Sequence, residues 1–310
     1  WLGCWHILAW DPNMQRLRRP ALVLAAYLGT FLASLDISIV NVALPTLQQA
    51  LDTDMAGLQW VINAYAIALS ALMLSAGPLG DRYGHRRMWL LSVATFTLGS
   101  LLCACAGNLQ TLVAGRVVQG IAGALLIPSA MPILSHAFPD PRQRARAIGG
   151  WSAFSALALV LGPLLGGVLV QRAGWTSIFL INLPLGLLAL MLGAWGIPER
   201  RHPHHAALDP VGQLLSVVAL GALSYGLIAI GEQGLLAPAT LSALGIAGAG
   251  LVLFGLVERR VARPLLPLDL FADRRFGMLN LASFVLGFTA YASLFFLSLF
   301  FHEAQGLRAA

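Results

Sequence analysis

The sequence predicts an all-α polytopic membrane protein, and three observations predict it. Hydrophobic residues make up 58% of the 310 residues and charged residues only 10%, where a soluble domain carries roughly a quarter charged residues. The apolar residues gather into runs of about 20, the length that crosses a bilayer core as a helix. All 19 residues counted as Lys or Arg are arginine, and apart from Arg116, Arg172 and Arg308 they collect in alternate gaps between those runs, as the positive excess of cytoplasmic loops requires.

Nine spans are expected, at about residues 21–44, 58–78, 88–107, 110–134, 147–170, 175–197, 210–231, 238–257 and 276–301. Gly and Pro inside them are tolerated, because neighbouring helices satisfy the freed backbone groups. Residues 1–20 form an N-terminal cytoplasmic segment carrying Arg16, Arg18 and Arg19. Its start, "WLGCWHILAWDPN", is too short and lacks the basic flank of a signal peptide. Met14 reads as a natural start, so residues 1–13 are expected to be an upstream misassignment or a fragment edge.

The first span carries Asp36. A charge at the centre of a membrane helix costs at least about 2.5–3.5 kcal/mol, so this carboxyl must be paired, face a wet cavity or be protonated. Burial favours its neutral form and a nearby guanidinium its charged form; a group so balanced can bind and release a proton. The alternative is a structural cap near the interface. The second span holds Gln59, Asn63 and Tyr65, and Asn41 lies in the first. Asn41 is five positions from Asp36, about 140° round a helix of 3.6 residues per turn.

Between the second and third spans stands "GPLGDRYGHRRMWLL", residues 77–91. It concentrates Asp81, Arg82, His85, Arg86 and Arg87 in a tight cytoplasmic turn. A topology signal accounts for the arginines. Gly77, Asp81 and Gly84 go beyond it, since an acid opposes the sorting rule and the glycines suggest a shaped turn. The third span contains Cys103 and Cys105, which read as packing residues; with Cys4 they make no disulfide framework and no metal-ligand spacing. The fourth contains Arg116, the one arginine well inside a span, with Gln119 and Gly120 on the same face. It either meets Asp36 or snorkels to the outer interface.

Arg142, Arg144 and Arg146 precede the fifth span, where Gly162, Pro163, Gly166 and Gly167 place small residues for close helix approach and a proline bend. The sixth holds Asn182. Gln119 and Asn182, with Asn41, Gln59 and Asn63, are candidates for a substrate cavity, though Asn41, Gln59, Asn63, Tyr65 and Asn182 each read more readily as an interhelical hydrogen bond than as a substrate contact. Arg200 and Arg201 follow, in "ERRHPHHAALDP", whose three histidines read as a solvated linker rather than a metal site. The seventh span ends at Glu232, read as solvated. Arg259, Arg260, Arg263, Arg274 and Arg275 lie between the eighth and ninth. The N-terminus is therefore expected inside and residue 310 outside. The net charge of +6 is explained by the membrane and not by nucleic acid. No metal or cofactor is expected, and no nucleotide-binding P-loop or hydrolase motif appears, so the chain reads as no enzyme.

The turn at 77–87 resembles the loop between helices two and three of the major facilitator superfamily. "LDISIVNVALP" (35–45), "LVAGRVVQGIAGALLIPS" (112–129), "LGPLLGG" (161–167) and "IFLINLPLG" (178–186) resemble, in order, motifs of its drug:proton antiporters. "PLLPLDLFADRRF" (264–276) resembles a loop of the fourteen-helix branch. His85 stands where a second basic residue is usual, Ala158 where a Gly is common, and Thr176-Ser177 where Arg-Trp often follows Trp175.

The resemblance implies a major facilitator fold: a six-helix bundle at 21–197, a cytoplasmic linker at 198–209, two linking helices within 210–257, a cytoplasmic loop at 258–275, and the first helix of an incomplete second bundle at 276–310. It implies proton coupling by Asp36 and Arg116. It makes Gly77, Asp81, Arg82, Gly84, Arg86 and Arg87 a conformational latch, whose acid caps a helix of the other bundle. It makes Gly162, Pro163, Gly166 and Gly167 a seal against proton leak. The expected function is antiport of small amphipathic or cationic compounds, such as antibiotics, across the cytoplasmic (inner) membrane, with protons, a small-molecule substrate and the lipid bilayer as partners; the oligomeric state is open. The alternative is a truncated, non-transporting membrane protein.

Overall fold

Helices make up all the regular secondary structure among the described residues. The structure, a computed structural model, describes residues 12–199, 209–261, 266, 270 and 272–304, with side chains described only between residues 18 and 289. The helices are α1 (Pro12–Ala50), α2 (Met55–Leu72), α3 (Ala76–Tyr83), α4 (His85–Ala104), α5 (Leu109–Ala137), α6 (Pro141–Ala173), α7 (Ser177–Leu180), α8 (Asn182–Gly196), α9 (Pro210–Gln233), α10 (Pro238–Glu258) and α11 (Arg274–Ala304). A short 3₁₀ turn, Met73–Ser75, joins α2 to α3.

Eight stretches are long and apolar enough to cross a membrane: Arg18–Ala50, Met55–Tyr83, His85–Ala104, Leu109–Ala137, Pro141–Ala173, Ser177–Gly196, Pro210–Gln233 and Pro238–Glu258. They overlap the first eight expected spans. The ninth falls on α11, whose described part is not among the eight. The first, second, fourth and fifth stretches outrun their expected bounds because the helices continue past the apolar run into polar turns. Residues 1–11 and 200–208, with the three linker histidines, and Arg263 and Arg308, lie outside the described residues.

Side-chain caps set where helices begin. Asp54 accepts from the Gly57 N–H at 2.9 Å, Asn108 from Thr111 at 2.8 Å, Asp140 from Gln143 at 2.9 Å and Asp209 from Gly212 at 2.9 Å. Each satisfies an N–H that the helix leaves unbonded, and Pro141 and Pro210 follow their caps at the position where no N–H is needed. Gly174 and Gly234 end α6 and α9 with φ of 76° and 88°, a conformation that glycine adopts without a Cβ penalty.

Two compact units divide the chain at Phe254 and Gly255. α11 belongs to the second. In the first, α1 packs on α5, α6 and α8, α4 on α5 and α8, and α2 on α5 and α9. The contact of α9 with α2 is partly polar: Ser70 and Ser224 hydroxyls are 2.7 Å apart, Asn63 donates to Glu232 at 3.0 Å, and the Trp60 and Tyr225 rings are 6.2 Å apart. Glu232 is exposed, as expected, yet is not left to solvent alone.

Among the described residues the interior has three apolar clusters, a small one of Phe31, Leu35 and Ala158 and two larger ones with a polar layer between them. On α1, Leu22 to Ala33 contribute to one cluster and Ile39 to Leu47 to the other; Asp36 falls in the gap. On α4 the gap between Phe96 and Cys103 holds Ser100. On α5 the gap between Leu112 and Ala122 holds Arg116 and Gln119. Between Phe179 of α7 and Ala189 of α8 it holds Asn182. Each chain segment thus changes from apolar to polar and back at the same level of the bundle.

Candidate functional site

Asp36, Ser100, Arg116, Gln119 and Asn182 are each at most 1% exposed. They come from four helices. Asp36 is about 27 Å along α1 from Arg18 and about 21 Å from Ala50 at 1.5 Å per residue, far from either end of a stretch longer than the about 30 Å of a bilayer core. Arg116 follows two turns of α5, and Gln119 sits one turn later. The helix breaks at Ile181, so Asn182 opens α8.

The Asp36 carboxylate receives three donors. The Arg116 Nη1 donates to Oδ2, Gln119 Nε2 to Oδ1 at 3.0 Å, and Asn182 Nδ2 to Oδ1 at 3.3 Å. The guanidinium is held from several sides: Nη1 also donates to Gln119 Oε1 at 2.9 Å, Nε donates to the Val61 carbonyl at 3.0 Å, and Cζ stands 4.4 Å from the Tyr65 ring centroid. The Ser100 hydroxyl accepts from Gln119 at 2.8 Å and from Asn182 at 3.2 Å, and donates to the Phe96 carbonyl at 3.0 Å. The Cys103 thiol donates to Gln119 Oε1 at 3.4 Å.

A buried pair of this kind holds together because both charges are matched and hydrogen-bonded; removing one partner strands the other at a cost of about 3–5 kcal/mol. Chemically, the layer contains one carboxylate and one guanidinium. A proton added to Asp36 neutralises the first and leaves the second without its counter-charge, which changes what the surrounding helices must stabilise.

The structure brings Asp36, Arg116, Gln119 and Asn182 together. Arg116 does not snorkel: it is 1% exposed and bonds inward. Gln119 and Asn182, expected along a cavity, are walled in at 0% exposure as partners of the ion pair, because two polar amides in an apolar interior settle where a charge meets their hydrogen bonds. The other cavity candidates lie elsewhere. Asn41 is exposed and its amide bonds the Ile37 carbonyl of its own helix at 3.0 Å, Gln59 is exposed, and Asn63 meets Glu232. Sequence reasoning missed Ser100 and the polar role of Cys103. They are three positions apart, so they share a face of α4, but nothing in the local sequence separates them from packing residues.

The small residues of α6 lie against α1 just beyond Asp36. A Cβ on Gly162 would collide with Ser38, and one on Gly166 would come within 3.0 Å of Ile39 Cγ1 and 3.2 Å of Val42 Cβ. The Ser38 hydroxyl, on the same seam, donates to the Leu159 carbonyl at 2.8 Å. Gly167 has open space and Pro163 is exposed.

The turn at 77–87 is more helical than expected. α3 runs to Tyr83, α4 starts at His85, and the reversal rests on Gly84 with φ of 101°. Asp81 lies within α3 and meets His85 Nε2 at 3.0 Å, and Gly80 leaves room for that imidazole. Arg86 donates to the Ala194 carbonyl, Arg87 Nε is 3.5 Å from Glu199 Oε2, and Arg82 stands 5.7 Å from the Tyr83 ring centroid. Gly77 faces open space.

Residues 26–310 match the family model described as Major Facilitator Superfamily. The chain is 41% identical over 279 residues to the "Methylenomycin A resistance protein" of Bacillus subtilis (strain 168), a match covering 90% of this chain and 60% of that protein. It is 37% identical over 284 residues to the "Multidrug resistance protein Stp" of Mycobacterium tuberculosis (strain CDC 1551 / Oshkosh), covering 92% of this chain and 53% of that protein. The chain thus spans between about half and three fifths of the length of these curated relatives. Among solved structures, "peptide transporter POT in complex with sulfate" superposes with a TM-score of 0.57 at 17% identity, covering 78% of this chain and 52% of that one; the likeness is one of fold.

Proposed function

The chain belongs to the major facilitator superfamily, and on that premise we propose that it serves proton-coupled export of small amphipathic or cationic compounds, antibiotics among them, across the cytoplasmic membrane. The observation that carries this reading is the Asp36–Arg116 pair, buried in a polar layer at mid-depth of the bundle. An ionisable pair is expensive in hydrocarbon and belongs by default to an ion pathway. The names of the two relatives, each a resistance protein, support antibiotics or other drugs as the exported compounds.

In this reading Asp36 is ionised and paired with Arg116 in one state and protonated in another. Among the described residues both members of the pair are buried, at most 1% exposed; in this reading proton entry accompanies a rearrangement of the bundle, as alternating access requires. The seam of α1 and α6 at Gly162 and Gly166 closes the path on one side of Asp36. The turn around Gly84 joins α3 to α4, whose first residues Arg86 and Arg87 reach α8 and Glu199. The arginine-rich loops support an N-terminus in the cytoplasm.

Efflux of ethidium, a fluorescent lipophilic cation, from cells expressing the chain tests the reading. An uncoupler is expected to abolish efflux, and Asp36→Asn, compared with the wild type at matched membrane abundance because the lone Arg116 charge costs stability, is expected not to export the dye. Uncoupler-sensitive efflux by that variant at the wild-type rate rules out Asp36 as the proton carrier.

A further inference from the structure

Two amides bind the same oxygen of Asp36, and they are not equivalent. Gln119 Oε1 is already engaged, by Arg116 Nη1 at 2.9 Å and the Cys103 thiol at 3.4 Å. Turning that amide over would aim its NH2 group at a guanidinium. Asn182 differs: its Nδ2 serves Asp36 and Ser100, while its Oδ1, inside a residue of 0% exposure, has no hydrogen-bond partner among the described residues. A buried acceptor left so is uncommon.

We propose that Asn182 is a positioning residue for the protonation of Asp36, presenting its NH2 group to the carboxylate and its carbonyl oxygen to the carboxylic acid. The inference rests on the reading of Asp36 as the proton carrier. When a proton from the aqueous side binds Asp36 Oδ1, one O–H bond forms and the oxygen becomes a donor while keeping a lone pair for Gln119 Nε2. Half a turn of the Asn182 amide sets its oxygen where Nδ2 stood, within reach of that O–H. The Ser100 hydroxyl, now donating to the Phe96 carbonyl, rotates to donate to the same oxygen. One end of the amide lacks a partner in either orientation, so the exchange leaves the tally of buried bonds nearly level. Gln119 cannot take this part without breaking its bond to Arg116.

Among the described residues, the charged and titratable side chains set around the Asp36–Arg116 pair are Arg116 itself on α5, Cys103 on α4 and, beside the guanidinium, Tyr65 on α2. None of them offers an acceptor to a proton on Oδ1 in the observed arrangement: the guanidinium has none, and the thiol and ring face Gln119 and Arg116. Removing the Asn182 amide therefore takes one donor of three from the carboxylate, and from the acid the one amide oxygen that can turn to it without breaking the Arg116–Gln119 bond.

Infrared difference spectroscopy of membranes containing the chain tests this without requiring transport. The carboxylic-acid band that Asp36→Asn removes is titrated in the wild type, in Asn182→Leu and in Asn182→Ala. At the pH where the wild-type band is half-maximal, both Asn182 variants are expected to have lost most of it. A band of wild-type size at that pH in either folded variant overturns the inference and leaves the role of Asp36 standing. If Asp36→Asn removes no acid band at any pH, Asp36 takes up no proton, and the transport reading falls together with the inference.

Discussion

Arg116 shows how one side chain is fixed by what it neutralises. Its guanidinium bonds Asp36, Gln119 and the Val61 carbonyl, and faces the Tyr65 ring. Arg116→Gln leaves a buried carboxylate without its cation, and is expected to destabilise the chain by about 3–5 kcal/mol. The double variant Asp36→Asn with Arg116→Gln removes both charges together and should recover a large part of that loss. Thermal unfolding in detergent checks this; equal melting of the single and double variants would show that the pair contributes nothing as a pair. The sequence pointed to Asp36 and Arg116 because a charge inside an apolar run is conspicuous. It did not point to Ser100 or Cys103, since a small polar residue in such a run is common and its partners arrive from other helices. It placed Gln119 and Asn182 beside a cavity rather than on the ion pair, because periodicity gives a helix face but not the neighbour that face meets.

At the scale of elements, α1 and α6 meet where α6 lacks side chains. The Gly162 and Gly166 positions touch Ser38, Ile39 and Val42, whereas Gly167 touches nothing within 4 Å. Gly162→Leu is expected to force the helices apart, at a cost of at least about 1–3 kcal/mol for overpacking, and to disturb the Asp36 region with them. Gly167→Ala is expected to be neutral within about 0.5 kcal/mol. Melting curves of the two variants decide; similar losses in both would mean that the seam is not what these glycines serve. The four-residue spacing of Gly162 and Gly166 was legible as a packing face. The helical character of the stretch after Gly77 was not, because proline, glycine and charge together resemble a loop. Its real reversal is the single residue Gly84 at φ 101°.

For the whole molecule, charge distribution and apolar run length carried most of the outcome. Eight apolar helices overlap the first eight runs read from composition alone, since a helix that must satisfy its own backbone in lipid leaves little freedom. What composition could not give was the layering of two apolar clusters about a polar level, which depends on the relative heights of helices far apart in sequence. The proposed orientation, read from the alternation of arginines, has the loop at Arg142 inside and the turn near Gln110 outside. In a cysteine-free background, Gln110→Cys is expected to react with a membrane-impermeant maleimide in intact cells, and Arg142→Cys only after lysis. The reverse pattern would invert the topology and with it the direction of transport.

The central claim is that the buried Asp36 carboxyl carries the proton that drives export. Inverted membrane vesicles energised to an acid interior, with a pH-sensitive dye inside, test it most directly. Adding ethidium is expected to dissipate the gradient when the wild-type chain is present, and to leave it intact with Asp36→Asn. Equal dissipation by the two, or none by the wild type, would contradict the account.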